Sequence, residues 1–112
     1  MEKIVRNIDE ILLQKTSHGI GTKQVLIAND ETDSAITQIA RSRLKAGETV
    51  DEHRHLTMDE HFICLSGRGY VYVDGERVEF VPNTYVLVPA ESMHYLVAET
   101  DMIFFTIGVA TK

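Results

Sequence analysis

An all-β fold is what this sequence predicts, and three observations predict it. From Gln24 onward, short apolar runs are separated by turn-forming residues about every eight to twelve positions, the spacing of a sandwich or barrel. Valines and tyrosines alternate before Asp74-Gly75, a pair in which both residues accept positive φ, so a tight hairpin is expected there. The 112 residues are 44% apolar and 25% charged, without linker or low-complexity segment, which is the composition of one folded domain.

The elements follow in chain order. Asn7 with Glu10 three positions later is a capping pair, and Ile8, Ile11 and Leu12 have helical spacing, so a short helix is expected to begin at Ile8 and stop before Gly19. Nine strands are then expected: Gln24 to Ala28, Ala35 to Leu44, Thr49 to His55, Glu60 to Leu65, Gly69 to Val73, Arg77 to Val81, Tyr85 to Val88, Met93 to Val97 and Met102 to Val109. Between them lie Asn29 to Asp33, Ala46-Gly47, Ser66-Gly67, Asp74-Gly75, Pro82-Asn83, Pro89-Ala90 and Glu99 to Asp101, all rich in turn formers. The last strand is apolar on both faces. Ile103, Phe105 and Ile107 have one parity and Met102 and Phe104 the other, so one set would pack into the barrel and the other against a second subunit; a homodimer is expected, with packing on the amino-terminal helix as the alternative.

Charge and cysteine content exclude several roles. A net charge of −6 with scattered arginines argues against a nucleic-acid partner, since phosphate binding needs clustered cations. No apolar stretch reaches the roughly 18 residues of a membrane span, and no secretory pattern opens the chain, so a cytoplasmic location is expected. Cys64 is the single cysteine, which excludes an intrachain disulfide and reads as a small buried hydrophobe.

Chemistry concentrates in the stretch from Gly47 to Gly67. On a strand, His53 and His55 project to one face while Arg54 projects to the other. Glu60 opens the next strand, and an antiparallel neighbour would hold its carboxylate against the pair; His94, at the start of a later run, would add a third nitrogen. Three neutral imidazoles and one carboxylate suit one divalent cation such as zinc, iron, nickel or manganese, with positions left for water or substrate.

The spacing Gly-x5-His-x-His-x4-Glu-x6-Gly, met by Gly47, His53, His55, Glu60 and Gly67, resembles the first motif of the cupin superfamily at every position. The second motif, Gly-x5-Pro-x-Gly-x2-His-x3-Asn, is met by Pro89 and His94, while Asn83, Glu91 and Ala98 replace glycine, glycine and asparagine. Asparagine tolerates positive φ, whereas glutamate there is strained. The resemblance spans Ala35 to Phe105. It implies a small single-domain metal-binding cupin of the conserved-barrel type: a double-stranded β-helix, or jelly roll, over residues 35–112. The helix and leading strand of residues 1–34 would pack on that barrel.

Strand parity nominates the pocket. Gln38 and Ser42 share one face of their strand and Arg41 and Arg43 the other, so the cavity is lined either by a neutral hydrogen-bonding pair or by an anion clamp. Phe62 shares parity with Glu60, His61 faces away, and Met58 lies in the loop between ligands as a candidate apolar lip. Tyr70 and Tyr72 share one strand face and are further candidates for the lining, beside an ordinary packing role. His18, in a glycine-rich connection, reads as solvated. A divalent ion in this site would attract a small, polar, oxygen-rich molecule. With iron the expected chemistry is that of an oxygenase, and with zinc or manganese that of an isomerase, epimerase or decarboxylase. The alternative is a non-catalytic module that binds or senses a sugar-like small molecule.

Overall fold

The computed structural model describes residues 1–111, and among them ten strands form two sheets. The strands are β1 (Gln14–Lys15), β2 (Thr22–Ala28), β3 (Ile36–Leu44), β4 (Thr49–His53), β5 (Met58–Ser66), β6 (Gly69–Val73), β7 (Glu76–Phe80), β8 (Tyr85–Val88), β9 (His94–Ala98) and β10 (Met102–Ala110). One sheet runs β1-β2-β3-β10-β5-β8 and the other β4-β9-β6-β7, with antiparallel neighbours throughout. The alternation seen in the sequence becomes burial on facing inner surfaces. Phe62, Phe80 and Phe104 meet edge to face there, with Val71, Leu96 and Met102 around them.

The closed jelly-roll barrel is corrected by this topology. Both sheets are open, with edges at β1 and β8 and at β4 and β7, and among the described residues no strand pairs across from one sheet to the other. The corners satisfy their backbone groups within their own sheet, which removes the donors and acceptors that closure would use. Asn83 N–H donates to the Cys64 carbonyl and Cys64 N–H to that of Thr84, extending β8 along β5. Gly47 N–H donates to the Ala98 carbonyl and Ala98 N–H to that of Glu48, extending β4 along β9.

The N-terminal helix is corrected as well. Only one 3-10 turn forms, Ile8–Glu10, with the Asn7 side chain accepting from Asp9 N–H. A helix this short requires an apolar face to dock on. Instead the buried Gln24 side chain donates to the carbonyls of Ile8 and Ile11, at 3.0 and 2.9 Å, and draws the chain into an extended path. Leu12 and Leu13 are left exposed, and the chain continues into β1, an edge strand the sequence pattern does not reveal.

This same segment bears on the expected homodimer. It covers the outer face of β2 and β3: Arg41 reaches Asp9 at 2.7 Å, and Arg6 bonds the Leu26 carbonyl and Glu31. Ile103, Phe105 and Ile107 are half-buried within the single chain. The fold gives the dimer no support, and nothing in it selects the cytoplasm; no helix among the described residues is long and apolar enough to cross a membrane.

One turn and one close strand approach shape β6, the neighbour of the strand β9 that carries His94. Asp74 and Gly75, with φ of 49° and 82°, close the β6–β7 hairpin in the left-handed conformation that follows strand twist. Gly69 lies so close to β9 that a Cβ would fall on the Val97 carbonyl oxygen, so only glycine permits this approach.

Candidate metal centre

His53, His55, Glu60 and His94 come together at one end of the space between the sheets, each offering a ligand atom within 4.8 Å of the others. They arrive by different routes. His94 opens β9 and is 1% exposed; His53 ends β4 as its cross-strand partner. Val50 pairs with Leu96 and His53 with His94, so three steps along β4 match two along β9. That bulge absorbs one residue and turns His53 inward, on the same side as Val50. His55 lies beyond the strand, where its carbonyl accepts the Glu91 N–H at 2.7 Å. Glu60 lies on β5 with Met58, Phe62 and Cys64 on the same inner face.

Backbone carbonyls orient two of the rings. His94 Nδ1 faces the Ser92 carbonyl at 3.0 Å, and His53 Nδ1 faces that of Asp51 at 2.8 Å. With the proton on Nδ1 donated to the carbonyl, Nε2 carries a lone pair directed away from the backbone. His94 Nε2 is buried without a hydrogen-bond partner. Such an orphaned acceptor costs about 1–3 kcal/mol unless something occupies it, and an ion does so.

Glu60 Oε1 lies 3.5 Å from His94 Nε2 and 3.6 Å from His55 Nε2. These separations are too long for good hydrogen bonds and leave a gap that an ion between the groups would fill. Burial alone would raise the Glu60 carboxyl, but the attraction of His55 and His94 outweighs it and holds the group at about 2. Glu60 in turn raises His55 against burial. Burial lowers His53, which outweighs its bond to the Asp51 carbonyl. A neutral imidazole and an ionised carboxylate are the forms that ligate a cation, so the donor set fits a divalent metal.

The turn behind His94 is anchored to both ligand-bearing neighbours. Ala90 N–H donates to Asp59 Oδ1 at 2.8 Å, beside Glu60, and Glu91 N–H donates to His55. Glu91 itself takes φ of 72°, the left-handed conformation its family position implies, despite being glutamate; Asn83 does the same at 72°.

A cavity of about 140 Å³ opens beside the four donors. Gln38 and Ser42 line it, as do Met58 and Phe62, and Ser42 Oγ meets Thr106 Oγ1 at 3.2 Å. Arg41 points to the opposite face, toward Gln24 and Asp9, while Arg43 contributes to the wall. Tyr70 and Tyr72 do not line this cavity. Val71 between them is the inward residue, and on the outer face Tyr72 stacks on Tyr95 at 4.3 Å while Arg77 covers the Tyr70 ring. His61 also faces away, with Nδ1 2.6 Å from Tyr85 OH.

Two cavity residues escape strand parity. His18 lies in the lining with its ring centroid 6.1 Å from that of His53, because Thr16 Oγ1 donates to the Ile20 carbonyl at 2.7 Å and folds the loop back over the opening. Lys23 enters from β2, opposite Ser42. A loop histidine has no periodicity to betray its direction, and strand β2 carries no motif.

Comparison with known proteins gives consistent matches. The cupin domain family matches residues 40–108, more than half of the chain. Quercetin 2,3-dioxygenase of Bacillus subtilis is 27% identical over 71 residues; these are 63% of this chain but only 21% of that protein, so the chain spans about a fifth of its curated relative. Among solved structures, a predicted oxalate decarboxylase from Thermotoga maritima superposes with a TM-score of 0.88 at 19% identity, covering 96% of this chain and all of the other. Ectoine synthase from P. lautus superposes with a TM-score of 0.81 at 21% identity, covering 96% and 78%. At these identities the two structures speak for the fold alone.

Proposed function

The chain belongs to the cupin family, and from that premise we propose that it is a metal-dependent enzyme acting on a small, polar, oxygen-rich molecule, through oxygenase or isomerase- and epimerase-type chemistry. One observation carries this reading: four donors converge beside a cavity, and the most buried of them, His94, presents an Nε2 with no partner in the protein. A bound divalent ion such as iron, zinc, manganese or nickel would supply Lewis-acid chemistry, and iron also redox chemistry.

The chain's own residues supply the rest. Backbone carbonyls hold His53 and His94 in one orientation, and Glu60 contributes the negative charge that balances a cation. Phe62, Leu96 and Phe104 keep one wall apolar and exclude water, which strengthens electrostatic interactions at the donors. The Ser42 and Thr106 hydroxyls offer a substrate donors and acceptors on the other wall.

The test is reconstitution with Fe(II), Mn(II) or Zn(II) and a panel of small hydroxy acids, diols and sugar phosphates. Oxygen uptake confined to the iron form supports the oxygenase branch, and solvent-proton exchange or isomer formation in the zinc or manganese form supports the other. Tight ligand binding without turnover in any metal form refutes the enzyme and leaves a binding or sensor module.

A further inference from the structure

The cavity holds a cation in a chain whose net charge is −6. Histidines aside, Lys23 and Glu60 are the ionisable side chains on its inward strand faces, since Arg43 on β3 shares the outward parity of Arg41. Lys23 Nζ donates to Gln38 Oε1 at 2.7 Å, and that partner is neutral. Among the described residues Lys23 forms no ion pair. An ammonium has three donors, so two stay available to a ligand. Its volume of about 140 Å³ leaves room for a small ligand beside the ammonium.

We propose that the ligand of this cavity is a small carboxylate, with its carboxylate group on Lys23 and a second oxygen at the four-donor cluster; this rests on the metal-dependent reading above. A carboxylate entering a half-apolar cavity needs a charged partner to offset its lost hydration, and Lys23 is a cation held in place without one. Gln38 fixes the direction of the ammonium across the β2–β3 pair, where Lys23 stands opposite Ser42. Lys23 and Gln38 both precede residue 40, where the family match begins. The anchor is therefore a property of this chain's amino-terminal strands, outside the segment that carries the family resemblance.

Lactate and lactamide, alike in size but differing in charge, serve as probes. Each is titrated by NMR into zinc-loaded protein and into chelator-treated protein, for wild type, Lys23→Gln and Lys23→Arg, with thermal unfolding and zinc content measured beside them. Zinc-loaded wild type should bind lactate at least about tenfold more tightly than lactamide, the scale of one charge-assisted hydrogen bond. Lys23→Gln should bring that ratio close to one, and Lys23→Arg should retain most of it, which a merely structural role in tying β2 to β3 would not produce. Equal binding of the two probes by wild type, or an unchanged ratio in Lys23→Gln, overturns the proposal. A Lys23-dependent lactate preference whose strength is the same with and without zinc, or that occurs in protein unable to take up zinc, keeps the anchor and refutes the metal reading, so the two fail separately.

Discussion

His53 on β4 and His94 on β9 are cross-strand partners whose ring centroids lie 4.3 Å apart. Each turns Nδ1 toward the carbonyl two residues before it. Sheet register therefore sets these two rings, whereas His55, beyond the strand, is placed by the turn that carries Glu91.

Glu91→Gly should stabilise the protein by up to about 1 kcal/mol. A non-glycine residue in the left-handed region costs roughly 1–2 kcal/mol, part of which glycine returns through its freer unfolded chain. Because the Glu91 N–H still donates to His55, metal content should not change. Urea unfolding of both proteins, with metal analysis, checks the two expectations together.

The motif spacing was legible in the sequence because ligand identity and turn glycines are local properties, and Gly47 and Gly67 both take positive φ. How the ligands converge was not legible. Strand parity from Val50 would send His53 outward, and only the bulge before it reverses this, while His55 is held by a hydrogen bond from a turn some 36 residues later. The helix expected at Ile8 failed for a tertiary reason, since Gln24 takes the carbonyls of Ile8 and Ile11. Sheet closure depended on corner hydrogen bonds such as that of Asn83 to Cys64, which no periodicity reports.

The metal-free protein should show opposing pH dependences at Glu60 and His55. Glu60 falls from its ordinary 4.5 to about 2, so the stability tied to its carboxylate is fully present above about pH 4.5 and lost as the pH falls toward 2. His55 is raised from its ordinary 6.5, so its contribution is fully present below that value and lost as pH rises through the raised one. The advantage of wild type over Glu60→Gln should therefore peak between about pH 4.5 and 6.5 and shrink on the acid side. Urea midpoints across pH 2–8 measure it, and an advantage that grows toward pH 2 contradicts the assignment.

Phe62→Ala should destabilise the protein by about 3–5 kcal/mol, because this 2%-exposed ring meets Phe80 and Phe104 edge to face. Its role is that of a wall, so the folded variant should keep its metal and admit larger ligands. Loss of metal from folded Phe62→Ala, judged by circular dichroism and elemental analysis, would show that the ring also positions His94, whose centroid is 6.3 Å away.

The most direct test of the metal centre is elemental mass spectrometry on untagged protein purified without chelators, beside His53→Ala and His94→Ala. Near-stoichiometric divalent metal is expected in wild type. Both variants should lose affinity by more than the roughly 10–100-fold that removal of a ligand's supporting partner costs. Retention should also fall below about pH 6 as the imidazoles protonate. Wild-type protein that takes up no metal even on reconstitution, or variants that hold it as well as wild type, would contradict the account.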